Sequence, residues 1–231
     1  MMTTPLTVYL MAGVATANHM FNECCRKLEN MLKQETSKLD IHVLFPYGNN
    51  TRNLWAQVLE VGSDLTNRPP LFRIGGRKAA EDIKATYRGS GPVLMVGHSG
   101  GGAAAYQAAV KLHKDGVLRD FHVVQIGSPR IRVLPALKDR VSYFHAIDKS
   151  GKLTDPISRI GSWGGWSRGG RRVSVPQWNH FKYAPGYVEG MPIVGGHADY
   201  FKHTNPFVDA DEVCNLDKTI DRIRSRLNGW I

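Results

Sequence analysis

Two periodicities of apolar residues alternate along the chain. Short runs rich in β-branched and aromatic side chains, at residues 6–11, 41–45, 93–96, 121–126 and 141–147, predict strands. Between them, apolar residues recur every three or four positions, which predicts helices. The first covers residues 18–34 through Met20, Phe21, Cys24, Leu28, Met31 and Leu32. A second starts at Asn53 and carries Leu54, Trp55, Val58, Leu59 and Leu65 up to a break at Asn67-Arg68-Pro69-Pro70. Further helices are expected at residues 76–87, from Ser99 to Gly116, and at 216–230. Strands that alternate with helices imply a mostly parallel sheet with helices on both faces, a three-layer α/β sandwich. In such sheets, sites lie at the carboxyl ends of the strands.

One of those ends carries Gly97-His98-Ser99-Gly100-Gly101-Gly102 between the 93–96 strand and an alanine-rich helix. A strand that turns sharply into a helix at Gly-x-Ser-x-Gly holds the serine in a strained conformation, with its hydroxyl raised from the sheet edge. Gly97 and Gly101 leave room for that turn. The helix start directs unpaired N–H groups at the reacting centre, so the Gly100 N–H is a candidate oxyanion donor. A turn that binds phosphate is the rival reading, but the Gly-Lys-Ser/Thr of a phosphate loop is missing.

This segment resembles the elbow of the lipase and esterase branches of the α/β-hydrolase superfamily. The resemblance implies a serine nucleophile, an acid and a histidine in that chain order. It also implies a second oxyanion N–H from the loop after the first strand, at Val14 or its neighbour Ala15. Two acids follow the 141–147 strand: Asp148 at its immediate end and Asp155 in Thr154-Asp155-Pro156-Ile157. Asp155 is favoured because Asp-Pro-Ile resembles the turn that carries the acid in many lipases and esterases. Of the later histidines His180, His197 and His203, His197 is favoured. Its Gly195-Gly196-His197 segment follows the apolar run 191–194 and looks like the late loop that delivers the base. His98 should point away from the reacting centre, into supporting structure.

A Gly-, Trp- and Arg-rich stretch at about 160–178 lies between acid and base and reads as a flap or a plain hairpin. Trp163 and Trp166 are candidates to bound an acyl pocket, and Arg168, Arg171 and Arg172 to meet an acidic head group or coenzyme A phosphates.

A chain of 231 residues that is 42% hydrophobic can bury a large core, and one domain spanning 1–231 is expected. Three cysteines, two of them adjacent at Cys24 and Cys25, make neither a disulfide framework nor a zinc spacing, and no apolar run reaches bilayer length. With no basic leader at residues 1–5, a cytoplasmic location is expected. The net charge of +10 favours anionic partners, yet no nucleic-acid motif accompanies it. No cofactor fingerprint or metal cluster stands out. The expected activity is ester hydrolysis on a small acyl ester, which could carry an anionic group, through an acyl-enzyme. Acyl-CoA thioester hydrolysis or acyl transfer is the enzymatic alternative, and a non-catalytic protein binding an anionic partner is the alternative of another class.

Overall fold

The computed structural model describes residues 5–14, 16–17, 19–33, 36–48, 74–89, 91–169, 175–228 and 230. The expected helix from Asn53, its break at 67–70, and Ala15, Arg171 and Arg172 lie outside the described residues.

A six-stranded parallel sheet organises the chain. Its strands are β1 (Leu6–Met11), β2 (Leu39–Leu44), β3 (Val93–His98), β4 (Phe121–Ile126), β5 (Val141–Ile147) and β8 (Tyr187–Pro192), in spatial order β2-β1-β3-β4-β5-β8. Two further strands, β6 (Gly165–Gly169) and β7 (Val175–Asn179), pair antiparallel as a separate hairpin. The helices are α1 (Asn22–Leu32), α2 (Ile74–Thr86), α3 (Gly100–Lys114) and α4 (Asn215–Ser225).

Side chains alternate across a strand, so each strand feeds two apolar layers. Leu6, Val8 and Leu10 of β1 point to one face, with Leu94 and Val96 of β3 and Val124 and Ile126 of β4. There they meet Cys24, Leu28 and Leu32 of α1 and Leu216, Ile220 and Ile223 of α4. The intervening residues Tyr9, Met11, Val93, Met95, Phe121 and Val123 face α2 and α3 through Ala79, Ile83, Ala105 and Leu112. The three layers follow from strands that are apolar at nearly every position, since only a sheet covered on both sides has use for them.

From β1 the chain crosses to β2 on one side, and β3 returns to pair on the other. This reversal makes the β1/β3 boundary a topological switch point, where the loops leaving the carboxyl ends diverge and open a crevice. The Ser99 turn leaves β3 at that boundary, beside the loop that leaves β1.

Leu10 is fully buried in β1, an interior strand paired on both sides. Leu10→Ala should cost about 2–5 kcal/mol through lost burial and a residual cavity, read as a lowered urea midpoint at unchanged m-value.

Candidate active site

Ser99 sits between β3 and α3 with φ 56° and ψ −131°, a left-handed conformation that an L-residue adopts only when its surroundings enforce it. The enforcement is close backbone packing. A Cβ on Gly97 would stand 2.3 Å from the Gly101 carbonyl oxygen, and one on Gly101 would stand 2.1 Å from the Met11 carbonyl oxygen. The first turn of α3 is therefore pressed directly onto β1 and β3, which leaves the Ser99 side chain one way out, toward the crevice.

The β1 loop closes on Ser99 from the other side. A Cβ on Gly13 would lie 2.7 Å from Ser99 Cβ and 3.1 Å from its Oγ. The Thr16 hydroxyl donates to the Gly13 carbonyl at 3.1 Å, tying the loop back on itself. Val14 and Ser99 both line a cleft of about 730 Å³, together with Met20, His98, His197 and Phe201. Gly100 is the first residue of α3, so its N–H belongs to the unpaired first turn of the helix.

His197 Nε2 lies 2.9 Å from Ser99 Oγ, and its Nδ1 lies 3.0 Å from Asp155 Oδ2. An ionised carboxylate only accepts, so Nδ1 carries the ring proton and the Nε2 lone pair faces the serine hydroxyl. This connectivity allows a proton to leave the hydroxyl for the ring while the carboxylate holds the tautomer and balances the resulting charge.

Asp155 is fully buried. Burial pushes its pKa upward, but hydrogen bonds from His197, Tyr200 and the Ile157 N–H outweigh it and hold the carboxyl below its usual range. The Tyr200 hydroxyl donates to Oδ2 at 2.7 Å, the Ser158 hydroxyl donates to the same oxygen at 3.2 Å, and the Ile157 N–H donates to Oδ1 at 2.8 Å. Asp148 is elsewhere. Its Oδ1 accepts from the Ser150 N–H, the Ser150 hydroxyl and the Lys152 N–H at 2.6–2.9 Å, so it closes an exposed turn after β5.

The remaining histidines also separate. His180 lies on the hairpin and accepts from the Trp178 indole at 3.3 Å. His203 lines the Ser99 cleft, with no hydrogen bond to Ser99 or Asp155. His98 points into supporting structure, and there it holds His197. Its Nε2 donates to the His197 carbonyl at 2.9 Å, and the two rings stack with centroids 5.0 Å apart. Burial first, and then the neighbouring His197, lower its pKa to about 4.

Three supports were missed in the sequence because they act from distant positions. Tyr200 accepts from the Ala146 N–H at 2.7 Å while donating to Asp155, so it joins β5 to the carboxylate. Buried Asn215, at the start of α4, accepts from the Val194 N–H at 2.8 Å and donates to the Val194 and Asp199 carbonyls at 2.7 and 3.0 Å. Thr219, one turn on, donates to the Tyr200 carbonyl at 2.8 Å. Together they hold both ends of the segment that carries His197. A polar residue on an otherwise apolar helix stripe was the available signal.

The expected acyl-pocket tryptophans are not at the cleft. Trp163 is buried edge-on against Tyr143, centroids 4.9 Å apart, with the Arg130 guanidinium 5.0 Å from its ring centroid. Trp166 is on the outer hairpin, and neither lines the crevice around Ser99. The expected flap is that hairpin. Residues 160–169 and 175–183 lie against the segment that follows β4, where the Arg130 N–H donates to the Ile160 carbonyl and the Val133 N–H to the Tyr183 carbonyl, and none of them lines the Ser99 cleft. Arg168 goes with the hairpin and lies outside the cleft lining. Among the described residues no three His, Cys, Asp or Glu side chains gather as a metal site requires.

No protein-family model matches the sequence, and no curated protein matches it. Solved structures are similar in fold. The RedJ thioesterase from the prodiginine biosynthetic pathway of Streptomyces coelicolor aligns with a TM-score of 0.52 at 14% identity, over 97% of this chain and 86% of its own. The NocB thioesterase domain, solved as a covalent complex with a fluorophosphonate nocardicin G analogue, aligns with a TM-score of 0.52 at 14% identity, over 98% of this chain and 96% of its own. At that identity the likeness is one of fold.

The depressed pKa of His98 has a consequence for stability. In the unfolded chain the ring binds a proton below its ordinary 6.5, whereas in the fold it stays neutral down to about 4. The unfolded state therefore holds more protons in that window, and stability present above pH 6.5 is lost as pH falls toward 4, at about 1.4 kcal/mol per pH unit for this group. Urea midpoints measured across that range should fall with acidification, and His98→Gln, which cannot ionise, should flatten part of the fall. Asn215→Ala should destabilise by about 1–3 kcal/mol, read in the same titration at neutral pH, because it strands the buried Val194 N–H.

Proposed function

We propose that this protein is a serine hydrolase that cleaves carboxylic esters or thioesters through an acyl-enzyme on Ser99. The observation that carries the reading is the continuous hydrogen-bonded line Ser99–His197–Asp155, at 2.9 and 3.0 Å, set at the carboxyl ends of the strands and open to a cleft. The chain is read as one domain, since both apolar layers share a single sheet.

In the proposed mechanism Ser99 Oγ attacks the acyl carbon as His197 Nε2 takes the hydroxyl proton. The tetrahedral oxyanion is held by the N–H groups of Gly100 and Val14, at the positive end of α3. Asp155 stays ionised, fixes the imidazole tautomer and balances the imidazolium. His197 then returns the proton to the departing alcohol or thiol, leaving Ser99 acylated. Water attacks the acyl carbon as His197 takes one of its protons, and His197 then passes that proton to Ser99 Oγ as the acyl–Oγ bond breaks and the acid leaves.

Esters and thioesters share every one of these steps and differ in the leaving atom. The similar folds bear the name thioesterase, which gives the thioester reading equal standing with the ester one. Turnover of acyl-CoA set against short p-nitrophenyl esters separates the two.

A fluorophosphonate probe should label Ser99 and no other serine, located by digestion and mass analysis. An unmodified Ser99, under conditions that label a control hydrolase, would overturn the reading. Ser99→Ala should lower kcat on a soluble ester by at least about a thousandfold with the thermal midpoint retained. Asp155→Asn should lower it by about a thousand- to ten-thousandfold, because the amide favours the wrong imidazole tautomer.

A further inference from the structure

The hairpin that the proposed chemistry leaves unused has a surface unlike the rest of the molecule. Of eight exposed large apolar side chains among the described residues, seven fall between residues 160 and 188. Trp166 and Phe181 are 64% and 65% exposed and Trp178 is 43% exposed, and Ile160 and Val175 are also exposed. Trp166 and Trp178 are cross-strand partners, so they stand on the same face of the hairpin with Arg168 and Pro176 two residues further along. Their rings meet edge to face at 5.5 Å. On its inner side Trp178 rests against Gly164, where a Cβ would stand 2.3 Å from the ring. Lys182 donates to the Trp166 carbonyl. The aromatic pair is thus held in place while most of its area stays in water.

Charge on this segment has one sign. From residue 156 to 188 the sequence contains no Asp or Glu, yet it carries Arg159, Arg168, Arg171, Arg172 and Lys182, equal to half of the net charge of +10. None of Arg159, Arg168 and Lys182 forms an ion pair with a carboxylate among the described residues. Exposed Trp and Phe together with unopposed cations match the composition of the bilayer interface. There, ring bodies enter the headgroup region and Lys and Arg meet lipid phosphates.

We infer that the β6–β7 hairpin docks this protein peripherally on an anionic phospholipid surface, with Trp166, Trp178 and Phe181 entering the interface and Arg168 and Lys182 meeting the headgroups. No helix among the described residues is long and apolar enough to cross a membrane. A single-stranded nucleic acid fits less well. An edge-to-face pair at 78° offers no parallel slot for a base. The docking surface is separate from the Ser99 cleft, so it stands or falls independently of the acyl chemistry.

The test is co-sedimentation of the full chain with vesicles of phosphatidylcholine alone and of phosphatidylcholine mixed with phosphatidylglycerol. The protein should pellet with the mixed vesicles and not the neutral ones, and should be released by high salt. Acyl chains labelled with bromine should quench its tryptophan fluorescence. The double variant Trp166→Ala/Trp178→Ala should bind at least roughly tenfold more weakly and lose that quenching, with its far-ultraviolet circular dichroism unchanged. Arg168→Ser, at an exposed position of β6, serves as the second variant and should weaken binding several-fold. Failure to pellet with the anionic vesicles would overturn the inference, as would wild-type binding by both variants. Displacement from the vesicles by a single-stranded oligonucleotide at equal concentration would overturn it in favour of a nucleic-acid surface.

Discussion

A buried carboxylate is the interaction on which the candidate site depends. Asp155 has no access to water, and an ion in such a place is tolerated only when donors replace the hydration it has lost. Four groups do so: the Ile157 N–H, the Ser158 hydroxyl, the Tyr200 hydroxyl and the His197 ring. They come from the turn after β5 and from the segment between β8 and α4. Satisfying one charge therefore brings two parts of the chain, about forty residues apart, into register and orients the imidazole toward Ser99. The same network keeps the carboxyl ionised, which the proposed role of balancing an imidazolium requires.

The opposite wall is built by absence of side chains. Glycines at 97 and 101 let the first turn of α3 press against β1 and β3, and the left-handed backbone at Ser99 is what that closeness leaves available. Because β1 and β3 lie at the switch point of the sheet, the loop after β1 arrives on the other side of the hydroxyl. His98 completes the frame. It is neutral at ordinary pH because burial opposes its charge, and so it can stack on His197 and bond its carbonyl without adding a cation beside the ring that must itself become charged.

Cleft and hairpin divide the surface between two kinds of chemistry. The Ser99 crevice is lined by the β1 loop, the start of α1 and the His197 segment. The aromatic, cationic hairpin lies beyond the segment that follows β4, and its described residues contribute nothing to that lining. Taken together, the two proposals assign one face to a lipid surface and another to the admission of substrate.

Sequence alone determined the layers. Apolar strands alternating with amphipathic helices can be buried only as a parallel sheet covered on both faces, and all five predicted strand runs are strands of that sheet. The Gly-x-Ser-x-Gly turn was legible for the same local reason, since its glycines and its serine act within six residues of one another. Between Asp155 and Asp148 the sequence offered only the likeness of Asp-Pro-Ile to a known turn. The tertiary structure brings Asp155 to His197 while Asp148 closes an exposed turn, because both are loop acids after β5 and what folds over each is set by distant segments. It also decided the supports. Tyr200, Asn215 and Thr219 act across gaps of about sixteen residues or more, which no local pattern reports. The tryptophans show the limit most clearly. Trp163 and Trp166 are three residues apart in one glycine-rich stretch, yet one is buried against Tyr143 and the other faces solvent, since burial depends on what the rest of the chain brings to each position.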